Sequence, residues 1–379
     1  MRIISFGTYE LAKHPRVGIV LEGLREHGDD VVEVNAPLDL TTADRVAMLH
    51  RPWLAYRLVL RIMSRWGTLA RGARQARRGG PVGAVIVGYL GHFDVLLARL
   101  LFPRGRIVLD MMIFAADTAR DRGVTGGLRL RLLDGIDRAA VRCADLVMVD
   151  TEEHVELLRP RARGKAVVVP VGAPGAWFAA GAAAAAAPPP DGAPVPALRV
   201  AFFGLYTPLQ GAPAIGSALG ALADRDDIEV TMIGAGQDLA ATRAAAARNQ
   251  NVRWLDWVES ADMPALVAAH DVCLGIFGQT PKARRVVPNK VYQGAAAGCA
   301  LVTSTTAPQR RALGDAAVFV PPGDGAQLAA VLSALAADRE RVRNLQARAR
   351  AVADARFAPS AIVEPLLPRL AALFSRWSR

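Results

Sequence analysis

A basic loop and the helical segment after it, between Lys282 and Gln293, hold the side chains best suited to bind an anion. Lys282 and Arg285 lie in the loop, and Asn289 and Lys290 stand where the helix is predicted to begin. Asn289 is predicted to be the N-cap of this helix, and Gly298 is predicted to end it. A cation beside the free backbone N–H groups of a helix start forms a site for a diphosphate. Gln293 shares the helix face of Lys290 and can hydrogen-bond a ribose hydroxyl. The alternative is a solvated basic loop before an ordinary helix.

A histidine and two carboxylates follow apolar runs in the first half of the chain, where they can serve in catalysis. His92 and Asp94 come after one predicted strand, and Asp117 follows the next. Such groups can stabilise charge that develops in a transition state, but they can also shape a turn or cap a helix. No His/Cys cluster and no Asp-x-Asp pair has the spacing of a metal site, so we predict no metal.

Two glycines, Gly234 and Gly236, invite comparison with the turn that binds dinucleotides. The position of the third glycine of that fingerprint holds Leu239. This argues against a nicotinamide cofactor, and we predict no cofactor.

Short β-branched runs alternate with helix-compatible stretches in two groups of six. This alternation predicts an α/β fold of two Rossmann-like domains, each a doubly wound parallel sheet. Ligands bind beyond the carboxyl ends of such strands, so two domains face to face would place a site in the cleft between them. The predicted strands are Arg2–Ser5, Val31–Val34, Val85–Gly88, Arg106–Asp110, Leu146–Asp150, Val167–Val171, Leu198–Phe203, Glu229–Ile233, Val252–Leu255, Val272–Ile276, Ala300–Ser304 and Ala317–Val320.

An Ala/Pro-rich segment, residues 179–197, divides the two halves. Its three consecutive prolines stop a helix, and it has almost no large apolar side chain to bury. We interpret it as a linker between domains at 1–178 and 198–356; an inserted loop within one domain is the alternative. Residues 357–379 have an amphipathic helical pattern and are predicted to pack back on the first domain. Their apolar positions are Ile362, Leu366, Leu367, Leu370 and Leu373.

Residues 45–80 contain nine arginines and no acidic residue. Trp53, Tyr56, Leu60 and Met63 recur there at helical spacing. A basic amphipathic helix with tryptophans favours contact with an anionic membrane surface. The alternative is a first-domain helix whose apolar face packs in the core. The arginines on another face of this helix are Arg57, Arg61 and Arg65.

Composition and net charge limit the classes of protein to which this chain can belong. The 379 residues are 52% hydrophobic and carry a formal net charge of +11, which excludes a disordered chain and indicates an anionic partner. No nucleic-acid recognition module is visible, so we expect no nucleic acid. Three separate cysteines are predicted to be core thiols in a reducing compartment. No signal peptide or membrane span is predicted, so we expect a cytoplasmic protein, peripheral on the inner face of the cell membrane.

Several motifs together resemble glycosyltransferase family 4 and its relatives over nearly the whole chain. They are Phe202–Gly211 (FFGLYTPLQG), Ile233–Gln237 (IGAGQ), Asn251–Val258 (NVRWLDWV), Pro288–Gln293 (PNKVYQ) with Ala297-Gly298, Gly7-Thr8-Tyr9 with His14-Pro15-Arg16, and Gly88–Asp94 (GYLGHFD). The resemblance implies the GT-B arrangement, in which a sugar moves from a nucleotide donor to a glycan or lipid-linked acceptor with retention of configuration.

The resemblance also implies roles for individual residues. It implies a catalytic role for His92, near which we place Asp94 and Asp117, and an acceptor-binding role for Tyr9 and Arg16. The second domain would bind the donor through Gly204, Gln210, Gly234, Trp257, Val258, Phe277, Lys282, Arg285, Asn289, Lys290 and Gln293.

The sequence departs from this family where the diphosphate would bind. Most members carry two glutamates eight positions apart near the donor helix. Here the second position holds Gln293, and the first holds Arg285, or Gly275 in an alternative alignment. Leu205 and Gln210 occupy positions where many relatives have Arg and Lys. We predict a divergent glycosyltransferase; the alternative is a non-catalytic nucleotide-sugar-binding or scaffold homologue in a membrane glycan pathway. The cations available as substitutes are Lys282, Arg284, Arg285 and Lys290.

Overall fold

The chain forms two compact units in a computed structural model. One unit contains residues 1–170 together with 362–379, and the other contains residues 171–361. Each is built around one parallel sheet. The structure describes residues 1–11, 14–38, 55–121, 123–124, 126–186 and 197–375.

Twelve strands form the two sheets in the described part of the chain. The first sheet contains β1 (Arg2–Gly7), β2 (Asp30–Asn35), β3 (Ala84–Val87), β4 (Ile107–Asp110), β5 (Leu146–Val149) and β6 (Ala166–Val168). The second contains β7 (Leu198–Phe203), β8 (Ile228–Ile233), β9 (Val252–Leu255), β10 (Val272–Leu274), β11 (Ala300–Ser304) and β12 (Ala317–Val320). All twelve predicted strands are confirmed, with ends that differ by three residues or fewer.

In each sheet, the order of successive strands changes direction beside the strand that comes first in the chain. Their orders are β2-β1-β3-β4-β5-β6 and β12-β11-β10-β7-β8-β9. The loops after β7 and β10 therefore flank the switch point of the second sheet, and those after β1 and β3 flank that of the first. Switch points at the carboxyl ends of strands are where doubly wound sheets bind ligands.

Helices connect these strands. Within the described ranges, the first ten are α1 (Pro15–Glu26), α2 (Ala55–Arg78), α3 (Asp94–Leu101), α4 (Ala115–Asp121), α5 (Gly127–Cys143), α6 (Glu152–Leu157), α7 (Pro160–Arg163), α8 (Gly175–Ala186), α9 (Ala212–Ala221) and α10 (Leu239–Ala245). The remainder are α11 (Met263–Ala268), α12 (Asn289–Ala296), α13 (Ala307–Leu313), α14 (Gly325–Ala337), α15 (Arg339–Arg356), α16 (Pro359–Val363) and α17 (Leu366–Ser375).

Alternate residues of the first sheet enter two separate cores, as the period of a strand requires. Ile4 and Phe6 pack with side chains of α2, α3 and α5. Ile3 packs on the opposite face with α1 and with Leu366 and Leu370 of α17. Helix α17 is therefore part of the first unit's core.

The second sheet is covered in the same way. Val200 and Phe202 of β7 are fully buried with Ile215 of α9 and Leu332 of α14. Helix α12 packs against β10, β11 and α15. This packing places the first turn of α12 at the carboxyl edge of the sheet, beside the switch point.

The Ala/Pro-rich segment is helical over its first eight residues, 179–186, because α8 continues to Ala186. Alanine has the highest helix propensity, and the helix is anchored by Trp177, which is 5% exposed and stacks on Phe203 with ring centroids 5.5 Å apart. Residues 187–196, which include the three prolines, lie outside the described residues.

Helix α2 confirms a helix within the basic segment 45–80, although residues 45–54, with Trp53, lie outside the described ranges. Ile62 and Leu69 face the core, whereas Leu60 and Met63 are 62% and 56% exposed. The helix therefore has one packed face and one open apolar stripe, formed by Tyr56, Leu60 and Met63. In the parts of the chain that are described, no helix has both the length and the apolar character needed to cross a membrane.

Candidate functional site

Two glycine turns at the carboxyl edge of the second sheet pack backbone against backbone. The amide of Gly204, after β7, donates to the carbonyl of Ile233 at 3.0 Å. A Cβ on Gly234, after β8, would lie 2.1 Å from the carbonyl oxygen of Gly204. Because φ of Gly234 is +119°, a side chain there is excluded by strain as well as by space.

A third loop, after β10, joins the first of these turns. The amide of Phe277 donates to the carbonyl of Gln210 at 2.9 Å. Gly211 has φ of +64°, and a Cβ there would lie 2.3 Å from the carbonyl carbon of Phe277. The loops after β7, β8 and β10 thus form one backbone frame at the switch point.

Lys290, in the first turn of α12, extends its side chain into this frame. The residue is 4% exposed, and its Nζ donates to Oε1 of Gln210 at 2.6 Å. The ammonium also lies 3.6 Å from the ring centroid of Phe202. A Cβ on Gly204 would lie 3.3 Å from Nζ, so a larger residue there would crowd the ammonium. The structure thus brings together three of the predicted donor residues, Lys290, Gln210 and Gly204.

The electrostatic setting of Lys290 is unusual for a buried cation. Its partners are a neutral amide and a ring, and no carboxylate among the described residues forms an ion pair with it. Burial lowers the pKa of Lys290 to about 7, opposed by the neighbouring Cys273 thiol. Buried charges are normally paired. An anionic ligand would supply the missing partner.

The start of α12 differs from the prediction in one detail. Pro288 is the N-cap residue and Asn289 is the first helical residue, so the prediction that Asn289 caps the helix is wrong. Proline, with extended backbone and no N–H, suits the position that precedes the first turn. The predicted helix end is confirmed, because Gly298 has φ of +83° and the amide of Cys299 bonds back to Gly294.

The other predicted donor residues lie in the elements around this frame. Gln293 is half-buried one turn further along α12. Lys282 and Arg285 are half-buried in the loop after β10, where Arg285 Nε donates to the carbonyl of Pro281 at 3.0 Å. Beyond β9, Val258 is half-buried and Trp257 is 73% exposed. Their roles in donor binding stay predictions.

The acceptor residues predicted in the first unit have partners inside that unit. Arg16 is fully buried, and its Nε donates to both carboxylate oxygens of Asp110, at 2.9 and 3.1 Å. Its Nη1 donates to the carbonyl of Val169 at 2.8 Å. The Tyr9 hydroxyl is 2.6 Å from Ser5 Oγ. Arg16 thus connects the end of β4 to the residue after β6, whereas the Tyr9 hydroxyl bonds back to β1. The contact of both side chains with an acceptor stays a prediction.

The catalytic candidates also have structural partners. His92 Nε2 lies 2.9 Å from Asp137, whose carboxylate accepts from the amides of Ala115 and Ala116 at the start of α4. Asp94 accepts from the amide and hydroxyl of Thr8, at 2.8 and 2.7 Å. These bonds connect loops at the carboxyl edge of the first sheet.

Burial raises the pKa of Asp94 above its usual value, although Thr8 and Trp66 donate hydrogen bonds to it. A raised pKa suits a carboxyl that gives up a proton. Asp117 is also buried, at 7% exposed, in α4. The catalytic role of these residues stays a prediction.

Two residues that contact the candidate site residues were not predicted from the sequence. Phe202, below the Lys290 ammonium, lies 88 positions away in the chain, inside an apolar strand that gives no sign of a polar neighbour. Asp137, the partner of His92, is in the middle of α5, 45 positions further along the chain. In the described part of the chain, no group of three or more His, Cys, Asp or Glu side chains is placed to hold a metal ion.

Known proteins share features of this fold. Residues 197–338 match the family described as Glycosyl transferases group 1. No curated protein matches the chain.

Solved structures match nearly the full length of the chain. Anabaena HepE in complex with UDP is 12% identical, with a TM-score of 0.63, and the match covers 98% of this chain and 99% of that one. Sucrose-phosphate synthase from Thermosynechococcus elongatus is 13% identical, with a TM-score of 0.70 and coverage of 99% and 100%. An α,α-trehalose-phosphate synthase (UDP-forming) from Burkholderia vietnamiensis is 14% identical, with a TM-score of 0.62 and coverage of 100% and 98%. The predicted fold class is thereby confirmed: the chain has a two-domain, Rossmann-like GT-B fold, and its second unit is similar to group 1 glycosyl transferases over residues 197–338.

Proposed function

We propose that this protein is a glycosyltransferase that takes a sugar from a nucleotide-sugar donor bound to its second unit. The observation that carries the proposal is the buried Lys290 ammonium, which has no carboxylate partner in the described structure and stands at a helix start beside a switch point. The similarity of residues 197–338 to group 1 glycosyl transferases supports it. HepE, a protein of the same fold, was crystallised with UDP and with UDP-glucose.

Each element of the frame has a role in this reaction. The ammonium of Lys290 and the free amides of α12 neutralise the diphosphate that departs. Gln293 bonds a ribose hydroxyl, and the glycine turns let the nucleotide approach the backbone. The anomeric C–O bond to the diphosphate breaks, the acceptor oxygen bonds to the same face of the sugar, and the acceptor proton passes to the leaving phosphate. No strong protein base is needed, and the nucleotide sugar is a substrate with no further cofactor.

The test is a screen of UDP-, GDP- and dTDP-sugars by thermal shift, followed by transfer and hydrolysis assays with the donor that binds. A donor present at 100 times its Kd should add about 2.7 kcal/mol of stability. If no nucleotide sugar stabilises the protein, the proposed function is wrong. Binding without turnover would instead support the second candidate, a non-catalytic nucleotide-sugar-binding or scaffold homologue, which is favoured by the missing glutamates.

Donor binding should weaken as pH rises above 7. The anion binds the ammonium form of Lys290, and the pKa of this group in the free protein is about 7. Above that pH the free protein loses the charge and must take up a proton when it binds. The Kd for UDP should then rise by up to about tenfold per pH unit. Calorimetry at pH 8 in buffers of different ionisation enthalpy should detect close to one proton taken up, and Lys290→Met should abolish that uptake.

Transfer should persist in excess EDTA, and the new glycosidic bond should keep the donor's anomeric configuration. We propose that Lys290, the basic loop and the amides of α12 neutralise the diphosphate without a divalent ion. Activity with and without EDTA and the anomeric coupling of the product by NMR are the measurements. An absolute requirement for magnesium or manganese, or an inverted product, contradicts this mechanism.

We further propose that the first unit binds a glycan or lipid-linked acceptor and that α2 rests on an anionic membrane surface at the inner face of the cytoplasmic membrane. The open stripe of Tyr56, Leu60 and Met63 lies next to the exposed Arg61 and the half-buried Arg65. An apolar stripe bordered by arginines matches the boundary between lipid headgroups and acyl chains.

The protein should therefore co-sediment with anionic vesicles more than with neutral ones, and salt should release part of it. Changing Arg57, Arg61 and Arg65 to Gln should lower the partition coefficient by about tenfold or more, because each arginine near the surface adds attraction. The matched control changes three exposed arginines elsewhere to Gln: Arg104, Arg248 and Arg343. Equal loss in both variants, or no sedimentation of the parent protein, would contradict membrane attachment through α2.

A further inference from the structure

A groove of about 980 Å³ opens on the first unit, between α5 and the turn from α6 to α7. It begins at Phe114 and Asp117, in the segment after β4, and extends to Lys165, just before β6. Because the strands are parallel, these two ends lie at the carboxyl and amino edges of the sheet. The groove therefore leads away from the edge where Asp117, a catalytic candidate, is located.

Positive charge dominates the lining of this groove. Its three acidic groups are already engaged: Asp137 accepts from His92 and two amides, Asp134 pairs with Arg138 at 3.0 Å, and Asp117 has a partner as well. Lys165 is also held, because its Nζ donates to the carbonyls of Val141 and Ala144.

Four exposed arginines of the lining differ from these. Their guanidinium groups have no hydrogen-bond, ion-pair or ring partner among the residues that the structure describes; they are Arg120, Arg142, Arg159 and Arg161. The chain is rich in arginine, so the number alone means little. What these four share is their position, since they line one groove whose carboxylates are all engaged by other groups.

The shape and lining of the groove indicate the class of ligand. A single phosphate would occupy a small part of about 980 Å³ and meet only some of the cations. Phe114 and Leu158 contribute an apolar floor, against which the C–H faces of sugar rings can pack. Guanidinium groups bind planar carboxylates and phosphates with two parallel hydrogen bonds. An extended chain with an anionic group on successive sugars would use all of these features.

We infer that this groove binds an acidic oligosaccharide, as the part of the acceptor that lies beyond the reacting sugar. The inference rests on the proposed function, since it assigns the substrate class of the first unit. The acceptor's reactive end lies near Asp117, and its acidic units contact Arg142, Arg159 and Arg161.

The experiment measures binding of three probes to the full chain by calorimetry: hexagalacturonate, the neutral maltohexaose and inorganic phosphate. Hexagalacturonate should bind with an affinity that falls as salt increases, and maltohexaose should bind at least tenfold more weakly. Changing Arg142, Arg159 and Arg161 to Gln should weaken hexagalacturonate binding at least tenfold. The control with Gln at positions 104, 248 and 343, which changes the net charge equally, should bind within twofold of the parent protein.

Three outcomes would overturn the inference: no binding of hexagalacturonate, equal loss in the groove and control variants, or phosphate that displaces hexagalacturonate at equal concentration. The last would show a small-anion site only. UDP binding, measured on the same samples, should be unchanged in both variants. A parent protein that binds UDP and not hexagalacturonate contradicts the groove assignment alone, whereas a parent protein that does not bind UDP contradicts the proposed function.

Discussion

Replacement of Lys290 with alanine should weaken the binding of UDP, or of whichever nucleoside diphosphate the protein accepts, by about 1.5–3 kcal/mol, the range for hydrogen bonds to charged groups. This corresponds to roughly 10- to 150-fold in Kd. The ammonium is buried among neutral partners, so the anion is its strongest available partner and water screens the interaction little. Calorimetry with the purified variant measures the change.

Lys282→Ala is the matched comparison, because Lys282 is a half-buried lysine of the neighbouring loop. Its loss should be smaller than that of Lys290, since solvent screens a partly exposed charge more strongly. Circular dichroism should show an intact fold in both variants. If Lys290→Ala leaves the affinity for the nucleoside diphosphate unchanged, Lys290 is not part of the donor site.

Asp110→Ala should destabilise the first unit by about 3–5 kcal/mol, the usual cost of removing one partner from a buried ion pair. Arg16 would keep its bond to Val169 but lose the only carboxylate within ion-pair distance in the described structure. One of its terminal nitrogens, Nη2, is already buried without a hydrogen-bond partner among the described residues. The guanidinium therefore has no other hydrogen bond that could replace those to the lost carboxylate. Urea unfolding followed by intrinsic fluorescence would measure the loss.

The double variant Arg16→Met/Asp110→Leu should recover more than half of that loss, because removal of both charges from a buried site is often close to neutral. This experiment also separates two roles for Arg16. If Arg16 is mainly an acceptor-binding residue, the single change Arg16→Met should reduce acceptor affinity with little loss of stability. A stability loss of similar size in Arg16→Met and Asp110→Ala supports a structural role.

The strands were the most predictable part of this protein. β-Branched runs such as those of β7 and β11 are long enough to be recognised as strands from the local sequence, and their alternation with helices indicates a parallel sheet. For the proposed donor site, the sequence allowed us to predict which loops form the backbone frame, because glycines after strands and a lysine at a helix start are typical of segments that bind phosphate groups. Burial on both faces accounts for the almost continuously apolar character of these runs.

Contacts between distant residues were not predictable. The ring of Phe202 under Lys290, and the carboxylate of Asp137 beside His92, depend on how strands and helices stack, which one sequence does not show. The helix over residues 179–186 of the Ala/Pro-rich segment was not predictable for a different reason. Its alanines have no large side chain to bury, yet they extend a helix that Trp177 anchors from outside the segment.

The backbone frame at the switch point has a consequence for how such a site can vary. At Gly211, Gly234 and Gly278, an added Cβ would lie 2.1–2.3 Å from neighbouring backbone atoms, so these positions tolerate no side chain. The side chains of Gln210, in the frame, and of Gln293, beside it in α12, are under no such constraint. Substitution can therefore exchange the charges of the site while the loops keep their shape. The backbone frame of this chain is formed although the two glutamates and the two cations that the resemblance to family 4 implies are absent, so the geometry of these loops does not depend on one set of ligand-binding side chains.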